Sequence, residues 1–284
     1  MKTNAQAKRA AAAANWAARI ALMCVTVVAL YPVAWNAYSS FKTSAEFLGN
    51  PFSLPGGLEW GNYARAFEKS HLAGNFLNSI YVTLLSVAIL AACAIPCAYC
   101  LARFRFFASK SIAAMFMAAI FIRADYIMIP LFLQMNDLGL LDKLTPLALL
   151  YAVAQFPFSI FLLMGFIKTI PREYEEAARM DGCGNFGILI RIVAPMAKPG
   201  IVTVCMLAAM AAWNEFVIAL VMVTDPLKQT IPVGLANLYE QQRYATDWGA
   251  LFAALMLVLA PTIALYAVGQ KYLIQGINVG GVKG

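Results

Sequence analysis

Six apolar stretches, at residues 16–39, 79–102, 111–134, 145–167, 200–223 and 249–272, each reach the roughly 20 residues needed to cross a bilayer. A segment surrounded by hydrocarbon must satisfy its own backbone N–H and C=O groups, so each is expected to be helical. The chain of 284 residues is 62% hydrophobic and only 12% charged, which excludes an ordinary soluble domain. The expected fold is therefore an all-α integral membrane protein with six transmembrane helices. The first stretch exceeds the length of a signal-peptide core and reads as an uncleaved anchor. The expected organisation is a tail at 1–15, a membrane domain at 16–272 and a second tail at 273–284.

Basic residues orient the spans. Lys2, Lys8, Arg9 and Arg19, then Arg103, Arg105 and Lys110, then Lys168, Arg172, Arg179, Arg191 and Lys198, and finally Lys271 and Lys283 fall on one side. Only Lys42, Arg65, Lys69, Lys143, Lys228 and Arg243 fall on the other. The positive-inside rule makes the first side cytoplasmic, with both termini and the loop at 169–198, and leaves the loops at 40–78 and 224–248 outside. The net charge of +7 needs no nucleic-acid partner, because it is mostly this topology signal with some attraction to anionic membrane lipid.

Catalytic chemistry is hard to find. No G-x-x-x-x-G-K-[ST] loop is present, so the chain cannot hydrolyse ATP in the P-loop manner. There is no nucleophile–base set, and no catalytic residue or cofactor site is assigned. Cys97 and Cys100 have the spacing of a metal pair but lack His or acidic companions, so they read as packing residues, with no metal expected. His71, the only histidine, reads as a loop residue. The aromatics of the first external loop, Phe41, Phe47, Phe52, Trp60, Tyr63, Phe67 and Phe76, suit either interfacial anchoring or docking of another protein.

One long polar stretch, residues 171–195, separates two apolar ones. Pro171 suits a first helical turn, and Glu173, Glu175 and Glu176 favour the positive end of the helix dipole. A short helix is predicted over 172–181, ended by Gly182 and Gly184, which supply positive φ and close approach. A second amphipathic turn follows, with Ile188, Leu189, Ile192 and Val193 on one side and Arg191 on the other, until Pro195 breaks it. The result is a helix–turn–helix along one membrane face.

The succession Glu176-Ala177-Ala178, three residues, Gly182, nine residues, Ile192 and then Ala194-Pro195 resembles the EAA loop of binding-protein-dependent ABC importer permeases. The family usually has Leu-Pro where this chain has Ala194-Pro195. Ser40-Phe41-Lys42, Asn62-Tyr63, Ile129-Pro130-Leu131, Trp213-Asn214-Glu215-Phe216 and the ending Gly280-Gly281-Val282-Lys283-Gly284 are similar to MalG-like carbohydrate permeases, so the likeness runs from about residue 40 to the end. It implies a type I ABC importer permease fold, pairing with a second permease subunit, two P-loop ATPase subunits that carry the ATP and Mg, and an extracytoplasmic solute-binding protein in a bacterial cytoplasmic membrane. It also implies coupling roles for Glu176 as the charged contact to the ATPase, Ala177 and Ala178 for close approach, Gly182 for the turn, and Asp181, Ile192 and Pro195 in the same loop. The competing class is an ion-coupled secondary transporter, which would have similar spans and buried charges but no need of the EAA spacing.

Charges within spans are expensive and face protein or water, about 2.5–3.5 kcal/mol each on insertion scales. Arg123 and Asp125 therefore read either as a structural ion pair with another helix or as part of a translocation path that accepts anionic or hydroxyl-rich solutes. Asn214 and Glu215 read as interhelical hydrogen-bonding groups or as solute contacts.

Overall fold

The structure is a computed structural model that describes residues 2–69, 71–122, 124–241 and 246–280, without the side chains of 2–14, 68–69, 124–125, 241 and 271–280. The described residues are helical or irregular throughout. In order they form α1 (Lys2–Ser39), α2 (Ser44–Gly49), α3 (Gly61–Lys69), α4 (Leu72–Arg103), α5 (Ser109–Ala119), a 3₁₀ turn (Ala124–Ile127), α6 (Met128–Asp137) and α7 (Leu144–Thr169). There follow α8 (Glu173–Met180), α9 (Asn185–Met196), α10 (Lys198–Trp213), α11 (Val217–Met222), α12 (Ile231–Gln241) and α13 (Trp248–Gly280).

Among the described residues, four helices are long and apolar enough to cross a membrane: Asn15–Ser39, Leu72–Arg103, Leu144–Thr169 and Trp248–Gln270. A fifth arises if α9 and α10, bent by 81° at Ala197, count as one. Two of the six expected stretches are thus interrupted. The stretch at 111–134 is divided among α5, the 3₁₀ turn and α6. The stretch at 200–223 breaks at Asn214, Glu215 and Phe216, where Glu215 accepts from the N–H groups of Ile218 at 2.7 Å and Ala219 at 3.0 Å and so caps α11. Intramembrane breaks of this kind persist only where side chains satisfy the freed backbone.

The chain divides into two compact units. One comprises residues 1–69 and 238–257, the other 70–237 and 258–284.

In the first unit, Trp35, Phe47, Trp248 and Phe252 form one aromatic cluster, with Phe47 4.8 Å from Phe252 and 5.1 Å from Trp248 between ring centroids. Phe41 meets Trp60 edge-on at 4.9 Å. The loop aromatics are therefore split: Phe47 is buried, while Phe52 and Trp60 stay largely exposed. Lys42 is fully buried, donating to the carbonyls of Pro51 at 3.0 Å and Asn50 at 3.3 Å, with its ammonium 5.2 Å from the Tyr38 ring centroid. Carbonyl oxygens and a ring face thus replace its water. Asn62 donates to the carbonyls of Ser40 at 2.7 Å and Lys42 at 2.9 Å, and Gly249 lies against the same carbonyl, where a Cβ would come within 2.6 Å of Lys42 O.

In the second unit α4 and α7 make the largest helix–helix interface, and α10 packs on both. Ala94, Ala98, Ala152 and Ala208 lie in it fully or nearly fully buried, as expected where lipid gives no hydrophobic drive and close backbone approach must supply the attraction. Gly200 presses directly on the Phe166 ring. A second cluster joins Val82, Met135, Ala148, Tyr151, Ile218 and Val233. Beside it, Asn78 donates to the carbonyls of Leu227 at 2.9 Å and Gln229 at 3.0 Å, and Ser79 Oγ accepts from Ile231 N–H at 2.8 Å, which fastens the 224–231 segment to α4.

Asp142 performs a similar task in the turn before α7. It has φ of 54°, a left-handed conformation that Asp tolerates, and its carboxylate accepts from the N–H groups of Thr224 at 2.6 Å and Asp225 at 2.9 Å. The Asp225 N–H, followed by the Thr224 N–H and hydroxyl and the Lys228 charge, holds its carboxyl below the usual aspartate range, against a smaller opposing effect of burial. A lowered folded-state value means that this contribution is fully present above the unfolded value and lost as pH falls through the folded one, so the window lies below about pH 4. Amide exchange at Thr224 and Asp225, corrected for intrinsic rates, is expected to accelerate in that window. In Asp142→Asn it should be fast already at pH 6 and insensitive to acid.

Candidate functional site

The polar stretch at 171–195 forms the helix–turn–helix expected of it. Pro171 precedes α8, and Glu173, Glu175 and Glu176 occupy its first turn. At its end Gly182 has φ of 80°; its N–H reaches Arg179 O at 3.0 Å, and the N–H of Cys183 reaches Ala178 O at 2.9 Å. These two bonds make a Schellman termination, in which a left-handed residue lets the last carbonyls find donors. Gly184 departs from expectation: it is extended (φ −74°, ψ 163°) and caps α9 without positive φ.

Pro195 does not end the second helix. Residues Leu189–Val193 form a π-helical turn in which Ala194 N–H bonds to Leu189 O, and Ala194–Met196 continue as α-helix. The wider turn absorbs one extra residue just before the proline, which lacks an N–H to give, and the chain bends only at Ala197.

One face of this unit belongs to the membrane core. Ala178, Ile188, Leu189 and Val193 join the cluster built by α4, α7 and α10, with Ile192 partly buried beside them. Arg191 points away, exposed. Ala178 is thus an inward contact of this chain's own core, while Ala177 faces out. Glu175 is buried too. Its Oε1 lies 2.5 Å from Arg103 Nε, and its Oε2 accepts from the Tyr99 hydroxyl at 3.1 Å. Arg103 Nη2 also donates to Ile170 O at 2.7 Å.

The opposite face is open. Glu176, Ala177, Asp181 and Gly182 are all exposed, and no printed bond or ion pair among the described residues engages the Glu176 carboxylate. Tyr174, Met180 (89% exposed) and Phe186 (72%) stand beside them. Large apolar side chains so exposed next to an acidic helix have the composition of a docking surface. Below Phe186 a groove of about 430 Å³ is lined by Pro96, Tyr99, Cys100, Phe104, Phe106, Asn185 and Leu189.

The other predicted residues do not gather at one place. Arg123 lies outside the described residues, as does the side chain of Asp125, whose backbone belongs to the 3₁₀ turn. Asn214 ends α10, donating to Met210 O at 2.8 Å and accepting from the Thr262 hydroxyl at 3.5 Å, and Glu215 serves as the cap described above. No group of three or more His, Cys, Asp or Glu side chains among the described residues is arranged to hold a metal ion.

Sequence reasoning missed Glu175, Arg103 and Tyr99. The signal was the helical period: Glu175 and Ala178 are i,i+3 and share a face, so the glutamate beside the buried alanine had to turn inward and find a cation. Tyr174, Met180 and Phe186 were also missed, although they are the bulky members of the stretch left off the apolar stripe.

A multi-helix membrane protein with an acidic helix–turn–helix exposed on one side and rooted in its core on the other has the plan of a transport subunit that is driven from outside itself. Comparison with known proteins specifies which. Residues 66–279 match the family of binding-protein-dependent transport system inner membrane components, and the chain belongs to that family. It is 32% identical over 259 residues, 91% of this chain and 86% of the relative, to the diacetylchitobiose uptake system permease protein NgcG of Streptomyces coelicolor. It is 35% identical over 266 residues, 93% of both chains, to the sulfoquinovosyl glycerol transport system permease protein SmoH of Agrobacterium fabrum. The structure is similar, with a TM-score of 0.79 and 27% identity, covering 89% of this chain and 94% of the other, to a bacterial ABC transporter involved in the import of the acidic polysaccharide alginate. The protein is thus a multi-pass inner-membrane permease component of an ABC transporter complex, and the ATP that drives it is bound by another subunit.

Proposed function

We propose that this chain is one of two paired permease subunits of a sugar or oligosaccharide importer. It crosses the membrane six times, with the interrupted segments at 109–137 and 198–222 completing the crossings, and holds both termini and residues 169–198 on the cytoplasmic side. An extracytoplasmic solute-binding protein delivers the solute. Two P-loop ATPase subunits carrying ATP and Mg receive the coupling helix of each permease. The observation that carries this reading is the division of α8 into a rooted face and an exposed acidic face.

In mechanism, Glu176 supplies the charged contact to the ATPase. Ala177 permits close approach, Asp181 and Gly182 shape the turn, and Ile192 and Pro195 seat the second helix. ATPase closure brings the two coupling helices together and favours the outward-facing form, because ATP stabilises only what it contacts differentially. Arg123, Asp125, Asn214 and Glu215 are the proposed path residues. Asn214 is exposed at the α10–α11 break, and Glu215 keeps that break open by capping α11. The sugar names of the relatives support a carbohydrate solute, and those of the sulfoquinovosyl glycerol permease and the alginate importer support acceptance of an anionic one.

Purification of the tagged chain from its own cells in mild detergent, with every copurifying protein identified by mass spectrometry, tests the proposal. Recovery of a P-loop ATPase and a second permease is expected. Recovery of the chain alone, with uptake driven by a proton or sodium gradient and indifferent to ATP, overturns it.

A further inference from the structure

We propose that Arg103 and Glu175 are positioning residues that form the joint through which movement of α8 reaches the membrane helices, an inference that rests on the coupling function above. Arg103 is the last residue of α4, Ile170 follows α7, and Glu175 lies in the first turn of α8. One guanidinium therefore holds three elements: its Nε is 2.5 Å from Glu175 Oε1, and its Nη2 donates to Ile170 O at 2.7 Å. The Tyr99 hydroxyl, one turn earlier on α4, holds the other carboxylate oxygen at 3.1 Å. Both charged side chains are nearly sealed from solvent, at 6% and 4% exposure.

The arrangement matters because α8 has little else to hold it. An eight-residue helix is far too short to persist alone. Its only other buried residue is Ala178, whose methyl group resists separation but not rotation. The planar guanidinium fork fixes direction as well as distance. With the joint intact, a push on the exposed face of α8 must displace the ends of α4 and α7. Without it, α8 pivots about Ala178 and the displacement is absorbed in the turn at Gly182.

The test uses the purified complex of this chain with its second permease and ATPase subunits, with ATP and vanadate as the probe, so that no solute need be known. Hydrogen exchange is measured with and without the trapped nucleotide over residues 96–106, 163–170 and 173–180. Glu175→Gln keeps the shape and removes the charge. Arg103→Lys keeps the charge but loses the fork. Because an unpaired buried charge can prevent folding by itself, the double substitution Arg103→Met with Glu175→Met removes both charges and refills the volume. In the wild-type complex, trapping is expected to change exchange in all three segments. In the double variant and in Glu175→Gln, the change at 173–180 should persist while that at 96–106 and 163–170 falls at least about fivefold, with Arg103→Lys between.

A double variant that transmits the change to α4 and α7 as the wild type does, whatever its thermal stability, overturns the joint. So does loss of the ATPase from the Glu175→Gln complex, which would make Glu175 a contact of the ATPase. A wild-type chain that yields no ATPase overturns the coupling function, and the joint with it.

Discussion

Glu176→Lys is expected to strip the ATPase from the purified complex and to abolish ATP-driven uptake, with an unchanged amount of this chain in the membrane. The side chain is exposed, and no printed bond within the described residues depends on it, so the substitution removes nothing from this chain's own fold. Surface changes of that kind usually alter stability by less than about 0.5 kcal/mol. A reversed charge within a docked interface costs several kcal/mol, so retention of the ATPase should fall about 100-fold or more. Glu176→Gln, which removes attraction without adding repulsion, should retain more. Quantitative mass spectrometry of the tagged complex reads both. Normal recovery with Glu176→Lys would mean that this face of α8 is not where the ATPase binds.

Substitutions at Gly182 should divide by backbone conformation, not by size. A Cβ there meets open space, since no atom lies within 4 Å, so sterics with neighbours predict no penalty at all. The penalty comes from φ of 80°. A left-handed conformation costs an L-residue about 1–2 kcal/mol, or about a 5- to 30-fold shift away from the native turn. Asn and Asp tolerate it best, and a β-branched residue least. Gly182→Val is therefore expected to uncouple ATP hydrolysis from uptake most severely, Gly182→Asp less so, and Gly182→Asn least. The lost turn disorients α8 relative to α9 while the spans remain in place. Uptake and ATPase rates measured together on the three variants would show that order, and equal loss in all three would point instead to a direct contact through the glycine itself.

The long spans were readable because hydropathy adds up along a run, and α1, α4, α7 and α13 each contain an uninterrupted apolar window. The breaks were not. Around Asn214 and Glu215 the flanking residues are as apolar as in any span, and an average over 20 of them hides two polar groups that turn the backbone. The helix–turn–helix was readable from its glycines and glutamates, down to the positive φ of Gly182. Which of two adjacent glutamates faces the core was harder. Glu175 and Glu176 differ by about 100° around the helix, and the inward one is selected by Arg103 and Tyr99, contributed by a helix far upstream. In sequence Arg103 looked like one more topology charge. Pro195 misled for a related reason: a proline breaks an α-helix, but the missing N–H is harmless where a π turn has already shifted the hydrogen-bond register.

That π turn makes the distance from Gly182 to Pro195 a ruler. A helix carrying one residue more than its regular winding needs is a spring held slightly unwound, and Leu189–Val193 hold that surplus. Removing a single residue between Gly182 and the proline would let the winding close, turning everything beyond it by about 100° relative to everything before. Adding one would demand a second surplus with nowhere to lodge. Surface loops normally shrug off such changes in length, whereas here the count of residues itself sets the angle at which the outer face of α8 meets whatever lies below the membrane.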